Sequence, residues 1–357
     1  MNIETIYEED EELLRKQEIR REKRYYVNYT KQKVILNIKI ALIAIVVIIA
    51  CCYISLFNTK CNYIINSEDN TITITDCYST AFIVNFPEQI DGYKVTKIEL
   101  DNSKASFNKK CPFAIQLKIS DGITDIGANS FSNSNIRYLN LPNSIEHIEY
   151  RAFFECSKLK KITVNKGDYV TSKDNAKGYL GAYSFANCTN LKEIDINNNI
   201  AKISESAFTN CTSIKNIQLP ESIAIIEKNA FKNCESLTFI KTPANMESIG
   251  VGAFINCKSL RQIYIPSGVT KIEDYCFTNC KYLNDVQLSD TINAIGEFAF
   301  SACDSLDYIY LSGNVTDISE YAFKDTISLR PSTIVILTPK GSEGEEYAKK
   351  NNISCQN

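Results

Sequence analysis

The sequence predicts a β-rich solenoid of short parallel strands joined by turns or short helical bends, preceded by a single transmembrane α-helix. Two patterns predict it: phenylalanine and cysteine columns that repeat every 23 residues, and an uncharged apolar run of 18 residues, Ile40 to Phe57. A third observation, one histidine (His147) in 357 residues, points away from catalysis. With 44% hydrophobic and 23% charged residues, the chain has ordinary globular composition and wholesale disorder is excluded.

The repeat is read first in the cysteines. Cys188, Cys211, Cys234, Cys257, Cys280 and Cys303 lie 23 residues apart, and Phe185, Phe208, Phe231, Phe254, Phe277 and Phe300 keep the same step three residues earlier. The phenylalanine column continues to Phe323, where Thr326 stands in the cysteine slot. Written out, the unit is I-x-x-I-x-x-x-A-F-x-x-C-x-x-L-x-x-I-x-L-P, seen in full from Ile200 to Pro220. Earlier copies are looser: one around Phe153 is followed by nine extra residues between Asn165 and Tyr179, and one around Phe131 has Ser134 for cysteine. Ten copies can be counted, eight with cysteine in the column.

A single 23-residue unit cannot bury its own apolar side, so it must stack on its neighbours. The alternating I-x-L step reads as a short strand with two residues inward, and stacking pairs these strands in parallel. The A-F-x-x-C stretch is too short for a regular helix and reads as one helical turn or a tight bend. Pro142, Pro220, Pro243 and Pro266 follow the strand, where a residue without an N–H ends pairing.

Segments such as "ESIAIIEKNAFKNCESLTFI" and "SGVTKIEDYCFTNCKYLNDVQL" resemble BspA-like leucine-rich repeat surface proteins, and the resemblance extends from about Asn62 to Ser354. "NTITITDC" with "FPEQIDGYKVTKI" is similar to the strand-rich N-terminal cap of such domains, and "TPKGSEGEEYAKKNNI" to their closing cap, a short helix over the last coil. The resemblance implies surface display and ligand binding, with ligands that vary among members, and no reaction. The spacing before Cys111, the insertion and Thr326 depart from the pattern.

The apolar run would make about 27 Å of helix, close to the hydrocarbon thickness of a bilayer. Val34 to Ile38 can lengthen it, with Lys39 placed to snorkel. Arg20, Arg21, Lys23, Arg24, Lys31 and Lys33 lie on its N-terminal side against Lys60 beyond it, which predicts a cytoplasmic N-terminus and an extracellular repeat domain. The expected division is a charged cytosolic tail (1–33), a transmembrane helix (34–57), a linker with the strand-rich cap (58–94), the repeats (95–337) and a C-terminal cap (338–357). A cleavable signal peptide would need an unusually long positive region and an A-x-A site that the run lacks. A lipoprotein signal at Cys51 is the other alternative. The tail holds eight acidic and eight basic residues and suits a solvated stub, with weak docking of a cytosolic partner as the alternative.

The ladder cysteines read as buried thiols acting as small hydrophobes, because Ser134 and Thr326 interrupt the column and neither can bridge. Cys276 takes the Ala slot of the A-F pair. Cys61 and Cys77 bracket two alternating strands around an SEDN turn; pairing Ile64 with Ile74 sets them opposite each other, so they form the candidate disulfide. Cys355 is open to either state.

No catalytic residue, metal site or cofactor is expected. His147 occupies a slot held in later copies by Lys202, Ile225, Ser248, Lys271, Ala294 and Asp317, and no serine stands in a G-x-S-x-G setting. The balance of 39 basic and 42 acidic residues, net charge -3, argues against nucleic acid. The expectation is therefore a membrane-anchored, cell-surface binding or adhesion protein recognising an extracellular protein or glycan; an envelope sensor or structural component coupled to the tail is the alternative. The candidate ligand face consists of the residues flanking the first inward aliphatic of each strand: Tyr138, Lys161, Glu193, Asn216, Phe239, Lys241, Tyr264, Gln287, Tyr308 and Tyr310. The inserted loop around Asp168 to Lys177 is a second candidate.

Overall fold

A computed structural model describes residues 21, 23, 30–48, 59–103, 105–165, 176–324 and 334–357. The chain divides into two units, Met1–Ile54 and Ser55–Asn357. In the first unit residues 30–48 are helical. Among the described residues no helix is long and apolar enough to cross a membrane. The helical stretch still carries Lys31, Lys33 and Lys39, and residues 49–57 of the expected span lie outside the described residues. The structure therefore gives the transmembrane helix no support.

The second unit is a parallel-strand β-solenoid of about twelve turns. The I-x-L strands form one side in runs of five, four and three, from Ile83–Phe86 to Ser354–Gln356. They alternate as the sequence predicts: in Gln262–Ile265 the isoleucines are buried while Gln262 and Tyr264 are exposed. Two turns exceed the ten counted from the sequence, because Ile83–Phe86 and Ser354–Gln356 in the caps join the same ladder. A second ladder was not expected. It comes from the second isoleucine of each unit and the residue before it, as in Ile225–Ile226 and Ser248–Ile249, which pair in register. One hydrogen-bonded pair per turn is too short to leave an alternation in the sequence.

The A-F-x-x-C stretch is a tight bend, and it forms a third ladder. Its N–H groups alternate between two kinds of acceptor. Ser206, Phe208 and Asn210 donate to the next turn at Lys228, Ala230 and Lys232 (2.8–2.9 Å), while Ala207, Thr209 and Cys211 donate within their own turn to Ser204, Ser206 and Phe208 (3.1–3.2 Å). Every N–H from Ser206 to Cys211 is thereby satisfied, as a buried backbone requires. The alternation needs left-handed residues two before and two after the phenylalanine, and Ser206 (φ 56°) and Asn210 (φ 63°) supply them. Asparagine tolerates this region better than most residues, which accounts for Asn187, Asn210, Asn233, Asn256 and Asn279, all at φ 60–65°.

Inside, phenylalanines from Phe131 to Phe323 form one column of near-parallel rings with centroids 5.1–5.5 Å apart. At that separation parallel rings are offset, the favoured stacking geometry. The column is closed edge-on by Phe86 and Phe107 at one end and by Tyr347 at the other. Beside it each ladder thiol from Cys156 to Cys303 donates to the phenylalanine carbonyl one turn back, as Cys211 Sγ does to Phe185 O (3.2 Å) and Cys234 Sγ to Phe208 O (3.3 Å). The cysteines are thus buried thiols with a polar partner as well as a small apolar volume. Burial pushes the Cys234 thiol up to about 12, so it is protonated and inert at neutral pH. Thr326 and residues 166–175 of the insertion lie outside the described residues.

The closing helix, Glu343–Lys350, begins at Ser342, whose side chain accepts from Glu345 N–H, while the Glu345 carboxylate accepts from Gly341 N–H at 2.6 Å. Lys349 and then that N–H hold the Glu345 carboxyl down at about 2. Because its folded value lies below the ordinary 4.5, its stabilisation is complete above about 4.5 and is lost as pH falls toward 2. Amide protection factors in residues 343–353, taken relative to unstructured-peptide rates at each pH, should therefore fall on acidification through this window, and Glu345→Gln should show lowered protection already at neutral pH with little further acid response. For the core, Phe231→Ala is expected to cost about 3–5 kcal/mol in denaturant unfolding, the upper range for a fully buried ring.

Candidate ligand-binding face

The I-x-L ladder fixes which candidate residues are neighbours. Tyr138, Lys161 and Glu193 are consecutive register partners, as are Asn216, Phe239, Gln262 and Asp285. Tyr264 pairs with Gln287, and Tyr308 and Tyr310 lie on the last strand before the C-terminal turns. All ten candidates stand on this one face, and the strand alternation turns them away from the core.

They do not form one uniform surface. Lys161 and Glu193 are tied to each other by an ion pair at 2.5 Å, and that hydrogen bond to Glu193 raises the Lys161 ammonium above its ordinary value. Asn216 accepts from Thr238 at 2.9 Å, and Gln287 donates to Asp285 at 3.2 Å. The aromatic residues are the exception. Phe239, Tyr264, Tyr308 and Tyr310 are 37%, 51%, 55% and 50% exposed. Phe239 and Tyr264, on adjacent turns, flank a groove of about 360 Å³ that Lys241, Gln262, Asp285, Gln287 and Glu221 complete. It offers two aromatic walls, an ammonium, two carboxylates and two amides, a set suited to polar, ring-bearing or peptide ligands and lacking a nucleophile–base pair.

His147 is placed elsewhere, on the second ladder. The register runs Asp125, His147, Tyr179, Lys202, Ile225 and Ser248, which confirms the slot read from the sequence and adds Tyr179 to it. Its Nδ1 is 2.8 Å from Asp125 Oδ1 and its ring lies 4.7 Å from that of Tyr179. Tyr179 in turn donates to Glu149 at 2.6 Å, which with desolvation pushes its phenol up to about 12. Among the described residues no three His, Cys, Asp or Glu side chains converge as a metal site.

The sequence reading missed the asparagine row on the bends. Each side chain donates to the Oδ1 of the one before, from Asn279 through Asn256, Asn233 and Asn210 to Asn187, at 2.7 Å each. It borders an open trough of about 610 Å³. The signal was present as a 23-residue column of Asn one position before the cysteines.

The model of the BspA type leucine rich repeat region matches residues 102–235, 169–284 and 224–340, and so covers most of the chain. The chain belongs to the BspA-type leucine-rich repeat family. No curated protein matches it. Among solved structures, the leucine-rich repeat protein of T. pallidum is 22% identical, with 69% of this chain and 87% of that one covered at a TM-score of 0.41. A leucine-rich cell surface protein from Faecalibacterium prausnitzii is 20% identical, covering 77% and 86% at a TM-score of 0.38. The pneumococcal vaccine antigen PcpA is 15% identical, covering 84% and 96% at 0.36.

Phe239 and Tyr264 stand on the outward side of their strands, at exposed positions in the alternation. The double variant Phe239→Ala, Tyr264→Ala should therefore unfold within about 0.5 kcal/mol per site of the parent in denaturant titration, the usual range for surface changes.

Proposed function

We propose that this BspA-type repeat domain is an extracellular binding or adhesion module whose aromatic sheet face engages a protein or glycan, and that residues 34–57 anchor it in a membrane with the N-terminus cytoplasmic. The observation that carries the first part is the set of exposed rings on one regular ladder. Aromatic side chains supply large contact area at low cost in rotamer entropy, and they dominate binding hot spots. A ring at a fixed spacing accepts either the apolar face of a sugar or a side chain of a partner. Lys241 and Asp285 beside it set polarity. The anchor rests on the charge asymmetry about an uncharged run of 18 residues.

A tag-purified full-length chain in detergent, presented to a glycan array and to extracts of cell surfaces, should capture a partner that the Phe239→Ala, Tyr264→Ala variant binds at least about tenfold more weakly. Equal capture by both proteins would remove the aromatic face from consideration. Deleting residues 1–30 should leave that binding intact, whereas loss of the cellular response with binding retained would favour the sensor reading. For the anchor, the full chain should stay with membranes through an alkaline carbonate wash, and external protease should digest the repeats but spare the tail. Release of the protein by the wash would exclude the span.

A further inference from the structure

Three cysteines converge in the N-terminal cap, away from the aromatic face. The hairpin Lys60–Asn66 with Thr71–Tyr78 turns at Ser67–Asn70 and sets Cys61 opposite Cys77, as its sequence predicts, although a bulge at Asn62/Tyr63 moves Ile64 from Ile74 to Thr73. Cys77 Sγ lies 3.9 Å from Cys111 Sγ, and the Cys111 thiol reaches Cys77 O at 3.6 Å. All three are thiols in the structure.

Two contacts hold Cys111 against Cys77. Asp76 and Lys110, the residues just before each, form an ion pair at 2.7 Å in which Lys110 is almost fully buried, and Ser79 N–H donates to Lys110 O at 3.1 Å. Cys77 and Cys111 are buried, while Cys61 is half-buried at the edge. The arrangement differs from the later copies, where each column thiol from Cys156 onward donates to a phenylalanine carbonyl. Here a central sulfur has a thiol on either side.

We infer that the cap is a thiol–disulfide exchange site, in which a small-molecule disulfide reacts first at Cys61 and the resident bond comes to lie between Cys77 and Cys111. In the first step the Cys61 thiolate attacks a disulfide RSSR, forming Cys61–S–S–R and releasing RS⁻. Cys77 then gives up its proton to the departing sulfur and displaces it as RSH, forming Cys61–S–S–Cys77. Finally the Cys111 thiolate attacks the Cys77 sulfur, forming Cys77–S–S–Cys111 and freeing the Cys61 thiolate. Two cysteine thiols are oxidised, RSSR is reduced to two RSH, and the two protons pass to those thiols. Hydrogen bonding by Cys77 lowers both flanking thiols and raises Cys77 itself, which suits Cys61 as attacking and leaving group and Cys111 as the last nucleophile. The product bond joins the hairpin to the short helix Phe107–Lys110 at the first repeat. It is a different bond from the hairpin disulfide Cys61–Cys77 expected from the sequence.

The site can be tested on the purified full-length chain, reduced, exposed to glutathione disulfide, quenched with an alkylating agent at intervals and mapped without reduction by mass spectrometry. Glutathione should appear first on Cys61, and the Cys77–Cys111 peptide should accumulate as Cys61 becomes free again. Cys111→Ser should stop at Cys61–Cys77. Cys61→Ser, at the exposed edge, should form Cys77–Cys111 about tenfold more slowly, because the reagent must then reach a buried sulfur. Three free thiols at the end, Cys61–Cys77 as the final product of the parent, or an unchanged rate in Cys61→Ser would each overturn the proposal. None of these outcomes depends on the ligand face.

Discussion

Everything in the second unit depends on one constraint: each turn must present the same ring at the same place to the turns above and below. A phenylalanine ring in the column touches its counterparts at 5.1–5.5 Å, so it is buried only if its neighbours are in register. Three ladders of backbone hydrogen bonds enforce that register, one on each strand set and one on the bends. The period of 23 follows, since a turn of another length must carry its extra residues outside the ladders. The stretch between Val164 and Gly178 carries such an insertion. Its turn lacks the first isoleucine of the unit, with Lys177 in that slot, and the side chains of Asn197 and Asn199 reach back to the carbonyls of Asn143 and Ile145 instead. Gly178 is required where the chain rejoins the ladder, because a Cβ there would lie 2.2 Å from Glu146 O.

The same constraint separates structure from function along each strand. Inward positions are fixed by the column and outward ones are not, so the outward row is where turns differ: Tyr138, Lys161, Glu193, Asn216, Phe239, Gln262, Asp285, Tyr308. A solenoid can therefore change its ligand face residue by residue without disturbing its core. The outward row is therefore the part of each strand that the core leaves free to vary.

Legibility in the sequence divided along physical lines. The apolar columns were readable because burial demands the same residue at each turn, and the strand alternation gave the outward row directly. The second ladder was hidden because one backbone pair per turn makes no demand on side-chain type, and Ile225, Ser248 and Ala294 all serve. The bend was read only as tight. Its left-handed positions are filled by Asn where the amide row is continuous, but Tyr275, Phe298 and Ala302 adopt the same conformation, so no single residue marks it. The hairpin register was right at Cys61 and wrong at Ile64, since a bulge leaves no mark on an alternating pattern. In the candidate groove Phe239 and Tyr264 were visible from spacing, whereas Glu221 comes from the turn after Pro220 and is brought in only by folding.

The cysteines show how one residue type takes two chemistries from its surroundings. In the column each sulfur from Cys156 to Cys303 donates to a phenylalanine carbonyl, and burial pushes Cys234 and Cys303 up to about 12. Such thiols are poor nucleophiles whatever the compartment. Cys111 belongs to the first, loosest copy, and its segment is drawn to that of Cys77 in the hairpin by the Asp76–Lys110 pair. Their sulfurs face each other, and the edge position of Cys61 leaves one of the three reachable. Where the hairpin meets the first copy, the fold sets Cys77 and Cys111 side by side. Among the described residues the column thiols are held for packing, and the cap is where two sulfurs lie side by side with a third at the exposed edge.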